Sequence, residues 1–213
     1  DERGHGTHVA GIIGAEANNN QGVSGIAWKT QLMPIVPGGA TPEELADSIA
    51  QSLHYAIDHG ADVINLSLGW EWKDAPEVSM SAEQYQSLNN AFQKAHDNDI
   101  FITISSGNER EDVYSINQWN DIGNIDTSSS IPTLFSQEFG NIAAVSSSNA
   151  RGALASYSSG GSKASIAAPG GDIGVNIMTR DPEGVPIDAE TFPRYILSTV
   201  PPVSYTHLTL PTS

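Results

Sequence analysis

Residues Ala61-Asp62-Val63-Ile64-Asn65-Leu66-Ser67-Leu68-Gly69 decide how this chain is read. Val63, Ile64 and Leu66 suit an extended segment, and Ser67 to Gly69 end it in a turn. Just before it, Leu45, Ile49, Leu53 and Ile57 recur every four residues and draw one apolar stripe along a helix. That helix carries its own signals. Thr41 suits the cap, Pro42 the first turn, and Glu44 completes a capping box; Gly60 is a stop. Downstream, Ser81 with Gln84 opens another helix with a stripe of Tyr85, Leu88, Phe92 and Ala95. Ile100-Phe101-Ile102-Thr103-Ile104 and Asn141-Ile142-Ala143-Ala144-Val145 read as further strands, and the apolar run Leu32 to Val36 fits a buried one. Strands alternating with helices of this length predict a parallel sheet with right-handed crossovers. Ligands gather at the carboxyl ends of such strands. Two ends here carry polar sequence: Ser67-Leu68-Gly69 and Ser105-Ser106-Gly107-Asn108.

The chain has 213 residues, enough for one domain with a core, and 38% hydrophobic residues place it in the globular class. No window approaches the roughly 18 apolar residues of a membrane span. The absence of cysteine excludes disulfides, thiolate metal sites and thiol catalysis. Twenty-five acidic residues against nine basic ones give a net charge of −16. Nucleic-acid binding needs the opposite balance, whereas a soluble protein in a saline or extracellular setting fits it. Residues 109–140 lack periodicity, and Tyr114, Trp119 and Phe135 are candidates to pack that long loop down. The last eleven residues, 203–213, fit nothing before them and resemble a translated sequencing adapter, so the domain is expected to be residues 1–202 and the tail non-native.

A second stretch carries the chemistry: Gly4-His5-Gly6-Thr7-His8-Val9-Ala10-Gly11. It sets a histidine at the mouth of a helix whose apolar side is Val9, Ile12 and Ile13. Gly11 and Gly14 each cost a helix interior about 1 kcal/mol against Ala, so a close approach by a neighbouring backbone is expected there. His5 and His8 alone are a weak metal pair without a third ligand cluster.

Together with Ala61 to Gly69, Ser105-Ser106-Gly107-Asn108-Glu109, Ala155-Ser156-Tyr157-Ser158-Ser159 and Ile166-Ala167-Ala168-Pro169-Gly170, this string resembles the subtilisin-like serine peptidases, the subtilases. Five elements in the family's order cover most of residues 1 to 202. The resemblance implies a three-layer α/β/α fold with a mostly parallel sheet, here truncated at both ends. It implies a serine-type endopeptidase acting through an Asp-His-Ser triad, with His5 as general base. Asn108 would donate its side-chain amide to the oxyanion of the tetrahedral intermediate. His5 and Asn108 would then meet at one scissile bond. Ser67, Leu68 and Gly69 would pair with an extended polypeptide substrate as an added strand. Ser105, Ser106 and Gly107 would wall the pocket for the residue before the scissile bond, where many relatives carry Ala-Ala-Gly; two hydroxyls would make this pocket slightly more polar. Trp70 and Trp72 are expected to pack rather than to wall the cleft. The triad's Asp is expected upstream of Asp1.

The family's serine stands in a Gly-Thr-Ser-type helix start, and no such string occurs here. Ile196-Leu197-Ser198-Thr199-Val200-Pro201 resembles the segment just before it, so Ser198 and Ser204 are poor nucleophiles and the chain alone is expected to be inactive. Ser156 to Ser159 match a structural segment. Ala17-Asn18-Asn19-Asn20-Gln21-Gly22-Val23 resembles the family's calcium loop, with the Asn19 side chain and the carbonyls of Ala17, Gln21 and Val23 as structural calcium ligands. The same resemblance implies secretion. A catalytically dead homologue that binds peptides is the alternative reading.

Overall fold

The second of the expected helices ends as its sequence asks. In a computed structural model, which describes residues 4–39, 42–68, 81–108, 139–149, 151–155, 157–160 and 164–171, helix α2 runs Pro42–Asp58. Beyond it Gly60 adopts φ 79°. Its N–H donates to the Ile57 carbonyl at 3.1 Å, and the Ala61 N–H reaches back to Ala56 at 3.0 Å. These two bonds form the glycine-terminated helix end that satisfies carbonyls the helix leaves over. Thr41, the expected cap, lies outside the described residues.

The chain divides into two units, residues 1–35 with 196–213 and residues 36–195, and each is taken by itself. The larger unit holds α2, strand β1 (Val63–Leu66), helix α3 (Ala82–Asp97), and strands β2 (Phe101–Ser105), β3 (Ile142–Ser148) and β4 (Ile166–Pro169). The four strands form one parallel sheet in the order β1-β2-β3-β4. The α/β class and the parallel sheet are thus as the sequence predicts.

Helix α3 begins at Ser81, whose hydroxyl accepts the Gln84 N–H at 3.2 Å while the Gln84 side chain accepts the Ser81 N–H at 2.8 Å. The helix start read at Ser81 and Gln84 is thus a complete capping box. At its other end Asn98 and a left-handed Asp99 (φ 57°) turn the chain directly into β2.

The buried stripes are broader than the four-residue repeats foretell. Besides Ile49, Leu53 and Ile57, helix α2 buries Ala46, Ala50 and Ala56; α3 buries Ala91 with Leu88, Phe92 and Ala95. Leu45 and Tyr85 are only half-buried. Alanine is neither bulky nor strongly apolar, so a search for large residues passes over it. Here it lets α2 and α3, which lie against each other, approach closely. Leu53 is among the largest fully buried side chains, and such burial contributes about 1.5–3 kcal/mol. At the surface end of this pair the Lys94 ammonium sits 2.6 Å from the Asp58 carboxylate and lowers its pKa. Both side chains face water, so the pair contributes little to stability.

Register arranges the sheet's core face. Ile64, Ile102 and Ile142 stand in one row, and Leu66, Ile104 and Ala144 in the next. Along β2 burial alternates, with Ile102 and Ile104 inside, as the period of two requires. Strand β4 was not expected from the sequence: Ile166-Ala167-Ala168-Pro169 is short and three of its residues are small or cyclic. It is held by its register on β3, Val145 to Ile166 through Ser148 to Pro169. The run Leu32 to Val36, expected as a buried strand, is not one. Leu32, Met33 and Val36 are exposed, and the segment joins no ladder among the described residues. Apolar composition alone does not make a strand without a partner edge.

In the smaller unit, helix α1 spans His5–Gly14 behind a left-handed Gly4 (φ 74°). A side-chain carbon built on Gly14 would lie 2.8 Å from Thr30 Cγ2 and 3.4 Å from Leu32 Cδ1. The backbone approach expected at Gly14 is made by Gly25, where such a carbon would lie 2.7–2.8 Å from the Gly14 backbone and would also meet the Ala15 nitrogen. The Gly25, Ile26 and Ala27 N–H groups donate to the carbonyls of Ala15, Ile12 and Ile13 at 2.8–3.1 Å. They cap the end of α1. Residues 69–80, 109–138 and 172–213, with Trp70, Trp72, Tyr114, Trp119, Phe135, Ser198 and Ser204, lie outside the described residues, as does the adapter-like tail.

Candidate functional site

Parallel pairing of Leu66 with Ile104 brings the carboxyl ends of β1 and β2 to the same edge of the sheet. Ser67 and Leu68 therefore run beside Ser105 and Ser106 within the larger unit. The Ser105 hydroxyl faces the Leu68 carbonyl at 3.5 Å, the outer limit of a hydrogen bond. Behind them, Thr103 donates to the Asn65 side chain at 2.9 Å, and the Asn65 amide donates to the Ser67 hydroxyl at 2.9 Å. This polar ladder ties the two strand ends together. Gly69 lies outside the described residues.

Ser106 is placed differently from its neighbour. Only 2% of its surface is exposed. Its hydroxyl donates to the Ser159 carbonyl at 2.7 Å and lies 3.3 Å from the Ser146 hydroxyl. The Ser146 hydroxyl reaches the same carbonyl at 2.9 Å. Ser158 and Ser159 are equally buried, and the Ser158 hydroxyl accepts the Ser147 N–H at 2.8 Å. A neutral hydroxyl buried with a partner costs little, whereas one without costs up to a few kcal/mol. Serine is therefore tolerated at four buried positions here. Ser158 and Ser159 have the structural role read from the sequence. The hydroxyl of Ser106 is used inside the protein and leaves that of Ser105 to give this edge its polarity. Sequence alone did not reveal the difference, because the two serines are adjacent and chemically identical.

Gly107 follows with φ 108°, a conformation that glycine adopts without strain. Its carbonyl accepts the Ser159 N–H at 3.0 Å. Asn108 comes next and is exposed at the end of β2. A carboxamide at a strand end, behind two anchored residues, is a donor on a rigid base.

In the smaller unit His5 is the first residue of α1 and is exposed. The His8 N–H donates to the Gly4 carbonyl at 2.9 Å and closes the first turn, so His5 stands on regular helix. The loop after α1 holds Asn18, Asn20 and Gly22 at φ 67°, 57° and 55°. These alternate with Ala17, Asn19, Gln21 and Val23. The Asn19 side-chain oxygen accepts the Gln21 N–H at 3.0 Å and retains a second lone pair. Asn and Gly tolerate the left-handed region, which is why this composition makes such a loop. Among the described residues no three His, Cys, Asp or Glu side chains gather as a metal cluster.

Residues 1–203 match the profile described as the Subtilase family. The minor extracellular protease Epr of Bacillus subtilis is 29% identical over 81% of this chain and 22% of its own length. The thermophilic serine proteinase of a Bacillus species is 31% identical over 81% of this chain and 36% of its own. The chain thus spans about a fifth to a third of these two relatives. Among solved structures, the epidermin leader peptide processing serine protease of Staphylococcus aureus shares the fold at TM-score 0.60 and 23% identity, over 81% of this chain and 40% of that one. Matched along nearly all of its length, the chain belongs to the subtilase family.

Proposed function

We propose that the protein is a serine endopeptidase that hydrolyses peptide bonds, with His5 as general base and Asn108 as oxyanion donor. The observation that carries this reading is the shared edge of β1 and β2, where Ser67 and Leu68 run beside Ser105 and Ser106. Parallel strand ends are where an extended substrate is read by backbone groups, and Gly69 would continue that segment. In the reaction His5 takes the proton of a serine hydroxyl as its oxygen attacks the carbonyl carbon, then gives it to the departing amine. Asn108 stabilises the negative oxygen formed between those steps. The nucleophilic serine is not assigned within this chain, since none of its serines stands in a Gly-Thr-Ser helix start. A fluorophosphonate probe is expected to label the full-length protein and not the 213-residue chain. Labelling of the short chain, abolished by His5→Ala, would contradict this division.

The substrate class is polypeptide. The charge of −16 opposes nucleic acid as a partner, and no described helix is long and apolar enough to cross a membrane. An extracellular location is supported by that charge and by the word extracellular in the name of the Epr relative.

The loop after α1 is assigned to structural calcium, held by the Asn19 side-chain oxygen and the carbonyls of Ala17, Gln21 and Val23. Neutral oxygen donors on an exposed loop suit a hard divalent ion, and the second lone pair of Asn19 is available for one. The ion would fix the loop and take no part in the chemistry. A ligand at about 100 times its Kd adds about 2.7 kcal/mol to folded-state stability. Chelation is therefore expected to lower Tm by several degrees, and Asn19→Ala to remove most of that sensitivity. An unchanged Tm on adding a chelator would overturn the assignment.

A further inference from the structure

The Ser159 peptide is gripped at both of its polar ends by consecutive residues of one segment. Its N–H donates to the Gly107 carbonyl at 3.0 Å, and its carbonyl accepts the Ser106 hydroxyl at 2.7 Å. The residue immediately after this pair is Asn108. Ser106 and Ser159 are each 2% exposed, so water does not compete for these bonds. The Ser106 hydroxyl has one proton. Its shorter contact is with the Ser159 carbonyl rather than with the Ser146 hydroxyl at 3.3 Å, which makes that carbonyl its acceptor. The main chain of Ser106 is itself fixed, because its N–H donates to the Val145 carbonyl at 2.9 Å. Immobilised at 106, clamped at 107 and turned by a positive φ there, the chain has little freedom left where Asn108 begins.

We propose that the Ser106 hydroxyl is a positioning group for the Asn108 carboxamide, acting by locking the end of β2 onto the Ser159 peptide. The proposal rests on the oxyanion role of Asn108 argued above. A preorganised donor loses effectiveness when its base gains freedom, because it must then be reoriented at the moment of reaction. Ser106 touches no reacting atom. Its effect passes through the two-bond clamp, and so its removal is felt in turnover rather than in substrate affinity.

The full-length protein carrying Ser106→Ala is expected to lose about tenfold in kcat, which corresponds to about 1.4 kcal/mol in the barrier. KM should stay within about twofold, because a donor to the oxyanion acts only in the transition state. The same substitution in an Asn108→Ala background is expected to have almost no further effect, since contributions that act through one group are not additive. Ser146→Ala removes a hydroxyl from the same carbonyl but lies on β3. It should lower Tm by a similar amount while leaving kcat within about twofold. An unchanged kcat in Ser106→Ala, or a loss that persists undiminished in the Asn108→Ala background, overturns the proposal. So does an equal kcat loss in Ser146→Ala, which would mean general loosening. If Ser106→Ala does not fold, Ser106→Cys, whose thiol is a weak donor, takes its place: a kcat loss with KM held supports the proposal, and an unchanged kcat overturns it. The oxyanion role itself fails on a different result, namely an Asn108→Ala protein with full kcat.

Discussion

In the full-length protein, His5→Ala is expected to lower kcat for a peptide substrate by about 10⁶-fold, a size taken from subtilisin, a member of this family, rather than deduced from this chain. A serine hydroxyl is a weak nucleophile at neutral pH and attacks only as its proton leaves. The amine that departs must receive a proton, which in the proposed mechanism comes from the same imidazole. Removing the base therefore blocks both halves of the reaction, while the groups that bind substrate remain, and KM should change little. Helix α1 gives the test its control. His8 is three residues on, and its N–H closes the first turn onto Gly4. Kinetics of His8→Ala alongside His5→Ala separate an imidazole that performs chemistry from a helix that merely has to form. Equal losses in the two variants, or a His5→Ala protein that keeps measurable turnover and probe labelling, would remove His5 from the mechanism.

The second large effect concerns Asn108. Its replacement by alanine is expected to cost about 10²–10³ in kcat, again a magnitude established for subtilisin and carried over by family membership. The local structure explains why one carboxamide can be worth so much. It follows a buried, hydrogen-bonded Ser106 and a Gly107 whose φ of 108° and bonded carbonyl hold the turn. A donor on such a base needs no reorganisation when charge develops. Asn108→Asp should be at least as damaging, because a carboxylate repels the oxyanion that the amide attracts. Steady-state kinetics on both variants decide the matter: a loss expressed wholly in KM would make Asn108 a substrate-binding residue instead.

Much of this fold was legible in the sequence. Ser81 with Gln84 marked the start of α3, where both bonds of a capping box form, and Gly60 marked the end of α2. Such signals are local: they depend on a few residues and on backbone groups that lack partners at helix ends. The alternation of strands and helices likewise foretold a parallel sheet. The failures have a common cause in partners distant along the chain. Leu32 to Val36 has the composition of a strand and no ladder among the described residues. Strand β4 has the composition of a loop and is held by its register on β3.

The family, the parallel α/β class and the residue types offered for chemistry could be read from the chain, because short motifs and apolar periodicity are local properties of it. What the two adjacent serines do depends instead on packing between distant segments. Parallel pairing sets Ser105 half-buried at the shared edge of β1 and β2, while the alternation of the strand turns Ser106 inward, where the carbonyl of Ser159, fifty-three residues away, accepts its hydrogen bond. Side-chain direction along a strand is fixed by geometry, but which side is the interior is fixed by what packs there.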